Sequence, residues 1–207
     1  MAKFIKLYSE NPNSKEIDKI VKILQKGGII IYPTDTVYGL GCDITHNKAL
    51  EKIAKIKGLR PEKAPFSFVC NNLAHLSDYI KQIDTPTYKI LKRALPGPYT
   101  FILPGNNSLP IAFKKRKTVG IRIPDNNIAR ELVKALGNPI VSTSIKDADS
   151  VLEYTTDPTL IFEKWKNKVD VVIDAGYGNN HPSTVIDLTQ NQPKLIRKGK
   201  GSLDILN

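Results

Sequence analysis

The chain has 207 residues, of which 41% are hydrophobic and 25% are charged. A chain of this length and balance can bury a full hydrophobic core, which excludes a largely disordered protein. Its 31 Lys and Arg residues outnumber its 20 Asp and Glu residues and give a net charge of +11. The excess favours polyanionic partners such as nucleotides, RNA or an anionic membrane surface, and it does not choose among them.

The predicted elements begin with a helix in SKEIDKIVKILQKGG, whose apolar residues recur on one face. Ser14 is the expected N-cap of this helix and Gly27 its expected end. The strand GIIIYP follows immediately. Further helices are predicted in NKALEKIAKIK, LAHLSDYIKQI, TPTYKILKRAL, NIARELVKAL and DPTLIFEKWKN, and strands in FSFVC, YTFIL, VGIRIP, PIVSTS, VDVVIDAG, STVIDLT and PKLIRKG.

Strands and helices alternate early in the chain, whereas three consecutive strands close it. We therefore predict an α/β fold, with a single domain over residues 1–207 and a mixed, twisted sheet flanked by helices. No apolar run approaches the roughly 20 residues that cross a bilayer, and the N-terminus lacks the apolar core of a signal peptide. We expect a cytoplasmic protein with no membrane partner.

The two cysteines, Cys42 and Cys70, lie far apart and form no CxxC pattern. We expect two buried, reduced thiols rather than a disulfide or a zinc site. The three histidines also lack metal-ligand spacing, so no metal-binding residue is predicted.

The strand GIIIYP runs directly into the polar, glycine-containing stretch TDTVYGLG. Open α/β sheets often bind ligands at strand ends, and glycine lets a ligand approach the backbone. This stretch is therefore a candidate floor of a substrate pocket. The alternative is a tight turn closed by the side chain of Asp35.

A second candidate lies at the end of the helix NKALEKIAKIK. Lys57 continues the apolar stripe of this helix at its C-terminal end, and Arg60 follows one short loop later. Two cations converging on a cleft would neutralise phosphate oxygens. The alternative for Lys57 is a snorkelling side chain at the helix C-terminus, where the helix dipole favours a cation.

Strand alternation in TVGIRIP puts Arg122 on the face opposite the apolar residues of the strand, where it could line a concave surface. Just before this strand, residues 114–117 are all cationic: Lys114, Lys115, Arg116 and Lys117. The cluster is a candidate RNA or phosphate contact, and the alternative is a solvated loop.

Hydroxyl side chains gather at two further places. The strand PIVSTS ends in Ser142, Thr143 and Ser144, and Ser183 and Arg197 repeat the combination of hydroxyls and cations. Two or more of these groups are expected to be structural. No GxSxG, Walker A or GxGxxG sequence is present, so neither a hydrolase nucleophile elbow nor either of these nucleotide-binding loops is predicted.

Seven segments, in this order, resemble the YrdC/YciO family: YPTDTVYGLG, RPEKAPFSF, LPGPYTFIL, VGIRIP, IVSTS, PSTVIDL and LIRKG. The resemblance spans nearly the whole chain and implies an α/β domain with a large basic concave cavity. In the catalytic branch it implies a synthase that makes threonylcarbamoyl-AMP from L-threonine, bicarbonate and ATP, with Mg²⁺. The product serves threonylcarbamoyladenosine modification of tRNA, and the family has also been linked to double-stranded RNA binding.

The resemblance also implies roles for individual residues. The substrate contacts would be Thr34, Tyr38, Arg122, Ser142 and Ser183. The nucleotide contacts would be Lys57, Arg60, Ser144 and Arg197. The catalytic set would be Lys57, Arg60, Ser144 and Lys146.

Two departures make the chain resemble the YciO branch more than the tRNA-modifying branch. Lys57 and Arg60 are separated by two residues where the synthase branch has one, and Lys146 stands where that branch has asparagine. Lysine donates hydrogen bonds and cannot accept one, so Lys146 could hold a phosphate but would lack the acceptor. The alternatives are a non-catalytic or auxiliary protein that binds double-stranded RNA, tRNA or rRNA, and a carbamoylation of another small amino acid or hydroxy acid.

Overall fold

The computed structural model describes residues 1–60, 64–114, 116–145 and 153–206. The strands are β1 (Lys3–Lys6), β2 (Ile30–Tyr32), β3 (Gly39–Asp43), β4 (Ser67–Val69), β5 (Tyr99–Pro104), β6 (Thr118–Arg122), β7 (Ile140–Ser144), β8 (Val171–Asp174), β9 (Thr184–Asp187) and β10 (Lys194–Arg197). The helices are α1 (Ser14–Leu24), α2 (Asn47–Ile56), α3 (Leu73–Ser77), α4 (Thr85–Ala94), α5 (Asn127–Leu136), α6 (Glu153–Thr156) and α7 (Pro158–Trp165). Short 3₁₀ helices cover Ile111–Phe113 and Leu203–Leu206. None of the helices in these ranges is long and apolar enough to span a bilayer.

Within these residues, ten strands form one mixed sheet in the order β1-β8-β2-β3-β7-β4-β6-β5-β9-β10. β8 pairs in parallel with β1 and β2, β4 with β6, and β5 with β9. The other neighbours pair antiparallel, including β7 with both β3 and β4. The predicted α/β fold, with a mixed sheet flanked by helices, is confirmed.

Polar side chains cap the start of most helices. Asn13 Oδ1 accepts the backbone N–H groups of Lys15 and Glu16, so the predicted N-cap of α1, Ser14, is wrong by one residue. Asn or Asp side chains also cap α3, α4, α5 and α7. These caps satisfy N–H groups that have no acceptor within the helix.

The helix predicted in LAHLSDYIKQI is wrong in its second half. α3 ends at Ser77, and the next residues pair with the end of β5. Ile80 forms a bridge with Gly105, and the Lys81 N–H donates to Pro104 O at 2.9 Å. Pairing with the sheet therefore replaces helical hydrogen bonds in this segment.

The last three residues of the predicted pocket floor, residues 39–41, belong to strand β3 (Gly39–Asp43), which is buried along its whole length. It pairs with β2 and β7. A Cβ atom at Gly41 would lie 2.5 Å from Ile140 Cγ2 and 2.9 Å from Val141 O. Close packing therefore requires glycine at this position, although glycine weakens the strand pattern in the sequence.

The two faces of the sheet are covered to different extents. On the first face, α2, α4 and α7 contribute to a continuous apolar layer. On the second face, α1 and α5 pack over part of the sheet only, which we call the covered half. Its strand residues are Ile30, Tyr32, Val69, Ile140, Val171 and Ile173.

Cys42 and Cys70 lie in the apolar layer of the first face and form no disulfide, as predicted. Burial raises the pKa of each thiol to about 12. Both thiols therefore stay protonated at neutral pH and act as small apolar core residues.

Candidate functional site

The rest of the second face, which we call the open half, forms the floor of a cavity of about 440 Å³. Its floor residues are Ser67, Thr100, Ile102, Thr118, Gly120, Ser142 and Val185. Most of them are small or carry a hydroxyl, in contrast to the bulky side chains of the covered half. Such a face leaves both room and hydrogen-bonding groups for a ligand.

Strand alternation produces this floor. In β5, Phe101 is buried in the layer of the first face, so Thr100 and Ile102 point to the second face. In β6, Ile121 takes the first face and Arg122 points into the cavity. Arg122 therefore lies on the side of its strand that the sequence predicts.

Four basic side chains line the cavity: Lys57, Arg116, Arg122 and Arg197. Lys57 directly follows the last residue of α2, at the helix C-terminus. No Asp or Glu is among the described lining residues. This charge distribution suits an anionic ligand.

Arg122 is held by the turn that follows β2. Its Nη2–H group donates to Asp35 Oδ1 and Thr36 Oγ1, both at 3.0 Å, and the Arg122 and Asp35 side chains are only 12% and 7% exposed. The second carboxylate oxygen of Asp35 accepts the Asp125 N–H at 3.1 Å. Arg122 Nε–H is buried and has no hydrogen-bond partner among the described residues. A buried donor is costly to leave unpaired, so this group is a candidate contact for a ligand oxygen.

The turn itself is closed by Thr34. Its hydroxyl donates to Val37 O at 2.7 Å and accepts the Thr36 N–H at 3.1 Å. The carboxylate of Asp35 pairs with Arg122 instead, so the interpretation of Asp35 as the residue that closes the turn is wrong. Thr34, the predicted threonine contact, lines a neighbouring cavity of about 250 Å³ and is not among the described lining residues of the larger one.

Arg197 lies against Ser183 and close to Arg122. Its Nε–H and Nη2–H groups donate to Ser183 O at 3.2 and 2.9 Å, and Nη2–H also donates to Ser183 Oγ at 3.2 Å. Ser183 Oγ lies 2.8 Å from Thr100 Oγ1. Burial, and then the charge of Arg122, lower the pKa of Arg197. A bound anion would offset both effects, so this end of the cavity suits a phosphate or a carboxylate.

Two buried tyrosines make hydrogen bonds beside the cavity, one to a cavity hydroxyl and one to the backbone. Tyr32 OH donates to Ser142 Oγ at 2.8 Å, and Tyr38 OH donates to Gly176 O at 2.8 Å while accepting the Ala175 N–H at 3.2 Å. Burial raises the pKa of each phenol to about 12. Because Ser142 accepts from Tyr32, its own proton can be donated to a ligand.

The cationic cluster at residues 114–117 is divided between the cavity and the surface. Arg116 lines the cavity, where its Nη2–H donates to Ala64 O at 2.7 Å and its guanidinium lies 5.1 Å from the centroid of the Phe113 ring. Lys114 and Lys117 are exposed. Lys115 lies outside the described residues. The cluster is therefore not one uniform RNA-facing patch.

The structure brings many of the predicted site residues together in one cavity lining. These are Tyr38, Lys57, Arg122, Ser142, Ser144, Ser183 and Arg197. Arg60 is exposed and is not among the described lining residues. Lys146 lies outside the described residues.

Sequence reasoning missed three hydroxyl groups of the floor: Ser67, Thr100 and Thr118. A signal for two of them exists, because Ser67 and Thr100 each lie between two aromatic residues in segments that the sequence predicts as strands. With the aromatic residues on one face, strand alternation puts the hydroxyl on the other.

The oxygen donors of the cavity bear on the expected Mg²⁺. In the parts of the chain that the structure describes, no group of three or more His, Cys, Asp or Glu residues could hold a metal ion. Mg²⁺ prefers carboxylates together with substrate phosphates, whereas the described lining offers hydroxyls. The residues present therefore fit a Mg²⁺ ion only when its remaining oxygens come from a bound phosphate ligand.

The sequence and the fold match those of a known protein family. A family model named Sua5, YciO and YrdC, and described as telomere recombination, matches residues 22–199. The protein YciO of Escherichia coli is 40% identical over 206 residues, which cover 98% of both chains. Its crystal structure covers 100% of both chains with a TM-score of 0.91. The chain therefore belongs to the Sua5/YciO/YrdC family, as the sequence motifs predicted.

Proteins named threonylcarbamoyl-AMP synthase are more distant relatives. A threonylcarbamoyl-AMP synthase of Neisseria gonorrhoeae is 37% identical over 132 residues, which cover 63% of this chain and 69% of that protein. The crystal structure of Pyrococcus abyssi Sua5 complexed with L-threonine has 29% identity and a TM-score of 0.84, and the match covers 95% of this chain and 57% of that one. The similarity thus extends beyond the YciO branch.

Proposed function

We propose that the cavity binds ATP, L-threonine and bicarbonate and forms threonylcarbamoyl-AMP for threonylcarbamoyladenosine modification of tRNA. The observation that carries the proposal is the convergence of four basic side chains and several hydroxyls on the open half of the sheet. It occurs in a chain that is similar to threonylcarbamoyl-AMP synthases. The polyphosphate is anionic and zwitterionic threonine carries a carboxylate, so both ligands offer anionic groups that such a cavity suits.

The proposed chemistry needs no protein nucleophile. The threonine amine attacks the carbon of bicarbonate, and loss of water gives a carbamate. A carbamate oxygen then attacks the α-phosphorus of ATP in line, the bond to the β-phosphate bridging oxygen breaks, and pyrophosphate leaves. The protein aligns the reactants and neutralises the charge that develops on the phosphate oxygens.

Seven of the described cavity residues have a role in this proposal. Lys57, Ser144 and Arg197 bind the nucleotide. Arg122, Ser142 and Ser183 bind L-threonine, and Tyr38 forms part of the wall. The buried Nε–H group of Arg122 supplies one donor to the amino acid carboxylate. Mg²⁺ would be held by the phosphates of ATP, where it supplies charge neutralisation.

Pyrophosphate release by the purified protein tests the proposal. ATP, Mg²⁺ and bicarbonate are supplied with and without L-threonine, and Arg197→Gln is compared with Arg93→Gln, which removes an exposed arginine on α4. We expect release that depends on L-threonine, with a loss of about tenfold in Arg197→Gln and little change in Arg93→Gln. Absence of ATP- and threonine-dependent release would refute the synthase activity. Release with another amino or hydroxy acid would identify a related carbamoylation instead.

A second candidate function is RNA binding without catalysis, as in an auxiliary protein of the YciO branch. The net charge of +11 and the exposure of Lys114 and Lys117 favour it. The test is the affinity for tRNA and double-stranded RNA at increasing salt concentration. Contacts between lysine and phosphate predict a steep linear fall of log K with log salt. A salt-independent association, or none at moderate salt, would contradict RNA binding.

A further inference from the structure

Arg116 occupies a defined position in the cavity although it belongs to a cluster that resembles a surface patch. Its Nη2–H donates to Ala64 O at 2.7 Å, and its guanidinium lies over the ring of Phe113, which is 1% exposed. Phe113 itself packs against Phe66 and Phe68. A buried aromatic ring and a backbone carbonyl therefore fix the guanidinium in place. A solvated arginine on the surface would not need such contacts.

The sheet topology explains why Arg116 meets this part of the chain. β4 and β6 are parallel neighbours, with Ser67 in register with Gly120. The segments that precede parallel strands lie at the same edge of the sheet. The segment from Lys57 to Phe66 precedes β4, and residues 114–117 precede β6. Lys57 and Arg116 therefore reach the cavity from the same edge.

The other two cations lie at the opposite end of β6. Arg122 is the last residue of this strand, four residues beyond Thr118, which corresponds to about 13 Å of extended chain. Arg197 is close enough to Arg122 for its pKa to be lowered by it. The cavity therefore has positive charge at two separated ends. This arrangement fits an elongated ligand, or two ligands, with anionic groups at both ends.

We propose that Arg116 and Lys57 together bind the terminal phosphates of a nucleoside triphosphate, at the end of the cavity opposite Arg122 and Arg197. The assignment rests on the proposed function in taking ATP as the ligand, and it gives Arg116 a role that Arg60 was predicted to have. Arg60 is exposed outside the described lining, whereas Arg116 is inside it.

The chemistry of the guanidinium favours phosphate at this position. Its planar fork has several N–H donors, so a single group can donate to Ala64 O and to a phosphate oxygen. It also matches two phosphate oxygens at once, which an ammonium group cannot do. The terminal phosphates carry the most negative charge of the nucleotide, and the Lys57 ammonium adds a second positive charge on the same edge.

The test is the binding of inorganic tripolyphosphate to the full chain by calorimetry, together with the kinetics of pyrophosphate release. The variants are Arg116→Gln, Arg116→Lys and the control Arg93→Gln, which has the same change of charge at an exposed position. We expect the Kd for tripolyphosphate to rise about tenfold in Arg116→Gln, by a smaller factor in Arg116→Lys, and less than about twofold in Arg93→Gln. The KM for ATP should rise in the same order, while the KM for L-threonine stays within about twofold.

Several results would overturn the assignment. These are equal losses in Arg116→Gln and Arg93→Gln, a change confined to the KM for L-threonine, and no tripolyphosphate binding by the wild-type protein. Arg116→Lys keeps the positive charge over Phe113. Its melting temperature shows whether a loss of tripolyphosphate binding reflects misfolding. If Arg116→Gln weakens tripolyphosphate binding but no threonine-dependent release occurs, the synthase activity fails and the phosphate site stands.

Discussion

The covered and open halves of one sheet face share strands β4 and β7 but differ in what lies over them. β7 contributes Ile140 to the covered half and Ser142 to the open half, and β4 contributes Val69 and Ser67 in the same way. Alternation alone cannot tell these pairs apart, because both members of each pair point to the same face. A change from an apolar to a polar residue two positions along a strand therefore marks where a covering helix stops and a ligand cavity begins.

The largest effect is expected at the ion pair that fixes Arg122 in the open half. Asp35→Asn removes the carboxylate from a largely buried pair and leaves Arg122 without its counter-charge. The free energy of unfolding in urea should fall by about 3–5 kcal/mol. Asp125→Asn is the matched control, because the exposed Asp125 contributes its backbone N–H to Asp35 and should lose less than about 0.5 kcal/mol. Equal effects of the two substitutions would contradict the role of the ion pair.

The stability losses caused by one apolar truncation in each half test whether the covered half is packed more tightly than the open half. Leu132 on α5 is fully buried over the covered half, and Leu132→Ala should lower the free energy of unfolding by about 2–5 kcal/mol. Ile102→Ala, in the partly exposed floor of the open half, should cost about half of that or less. Urea titration of both variants measures the difference. A larger loss for Ile102→Ala would mean that the open half is packed as core.

Two glycine substitutions test where the sheet is closely packed and where it leaves room for a ligand. A Cβ at Gly41 would contact Ile140 and backbone at under 3.0 Å, so Gly41→Ala should cost about 1–3 kcal/mol. A Cβ at Gly120 would meet its nearest neighbour, Thr100, at an ordinary 3.4 Å. Gly120→Ala should therefore leave the melting temperature nearly unchanged while it narrows the cavity and weakens ATP binding. Unchanged ATP affinity would show that the ligand does not use the floor around Gly120.

The smallest effect concerns the hydrogen bond that links the two halves, from Tyr32 OH to Ser142 Oγ. Tyr32→Phe should cost about 0.5–1.5 kcal/mol at neutral pH. Burial raises the pKa of Tyr32 and Tyr38 to about 12, so the folded state favours the neutral phenols. This stabilisation is complete below about pH 10 and is lost as the pH rises through about 12.

The measurement for this pair is the free energy of unfolding between about pH 9 and pH 12. The wild-type protein should lose stability across this range, and Tyr32→Phe should lose less. Tyr177→Phe, at a residue that is 81% exposed, is the control and should follow the wild-type profile. Identical profiles for all three proteins would show that Tyr32 is not buried as described.

Residues whose environment is set by local periodicity could be predicted from the sequence. The apolar face predicted for α1 is buried in the structure, where it consists of Ile17, Ile20, Val21 and Leu24. The cap of this helix was missed by one residue because Asn13 and Ser14 are both competent caps, and the choice depends on the backbone of the preceding turn.

The candidate site was predictable where a strand fixes the side chain and less so where a loop does. Arg122, Ser142 and Ser144 lie on strands, and they reach the cavity because their strands are aligned in the sheet. Arg60 and Arg116 are in segments between elements. Their positions depend on how parallel strands β4 and β6 bring two loops together, which no local pattern records.

The most direct test of the proposed activity is the identity of the product that the protein forms. The protein would be incubated with ATP, Mg²⁺, L-threonine and ¹³C-bicarbonate, and the mixture analysed by mass spectrometry. We expect threonylcarbamoyl-AMP that carries the label in its carbamoyl carbon, together with an equal amount of pyrophosphate. ATP that remains intact, or AMP that forms without label or threonine, would contradict it.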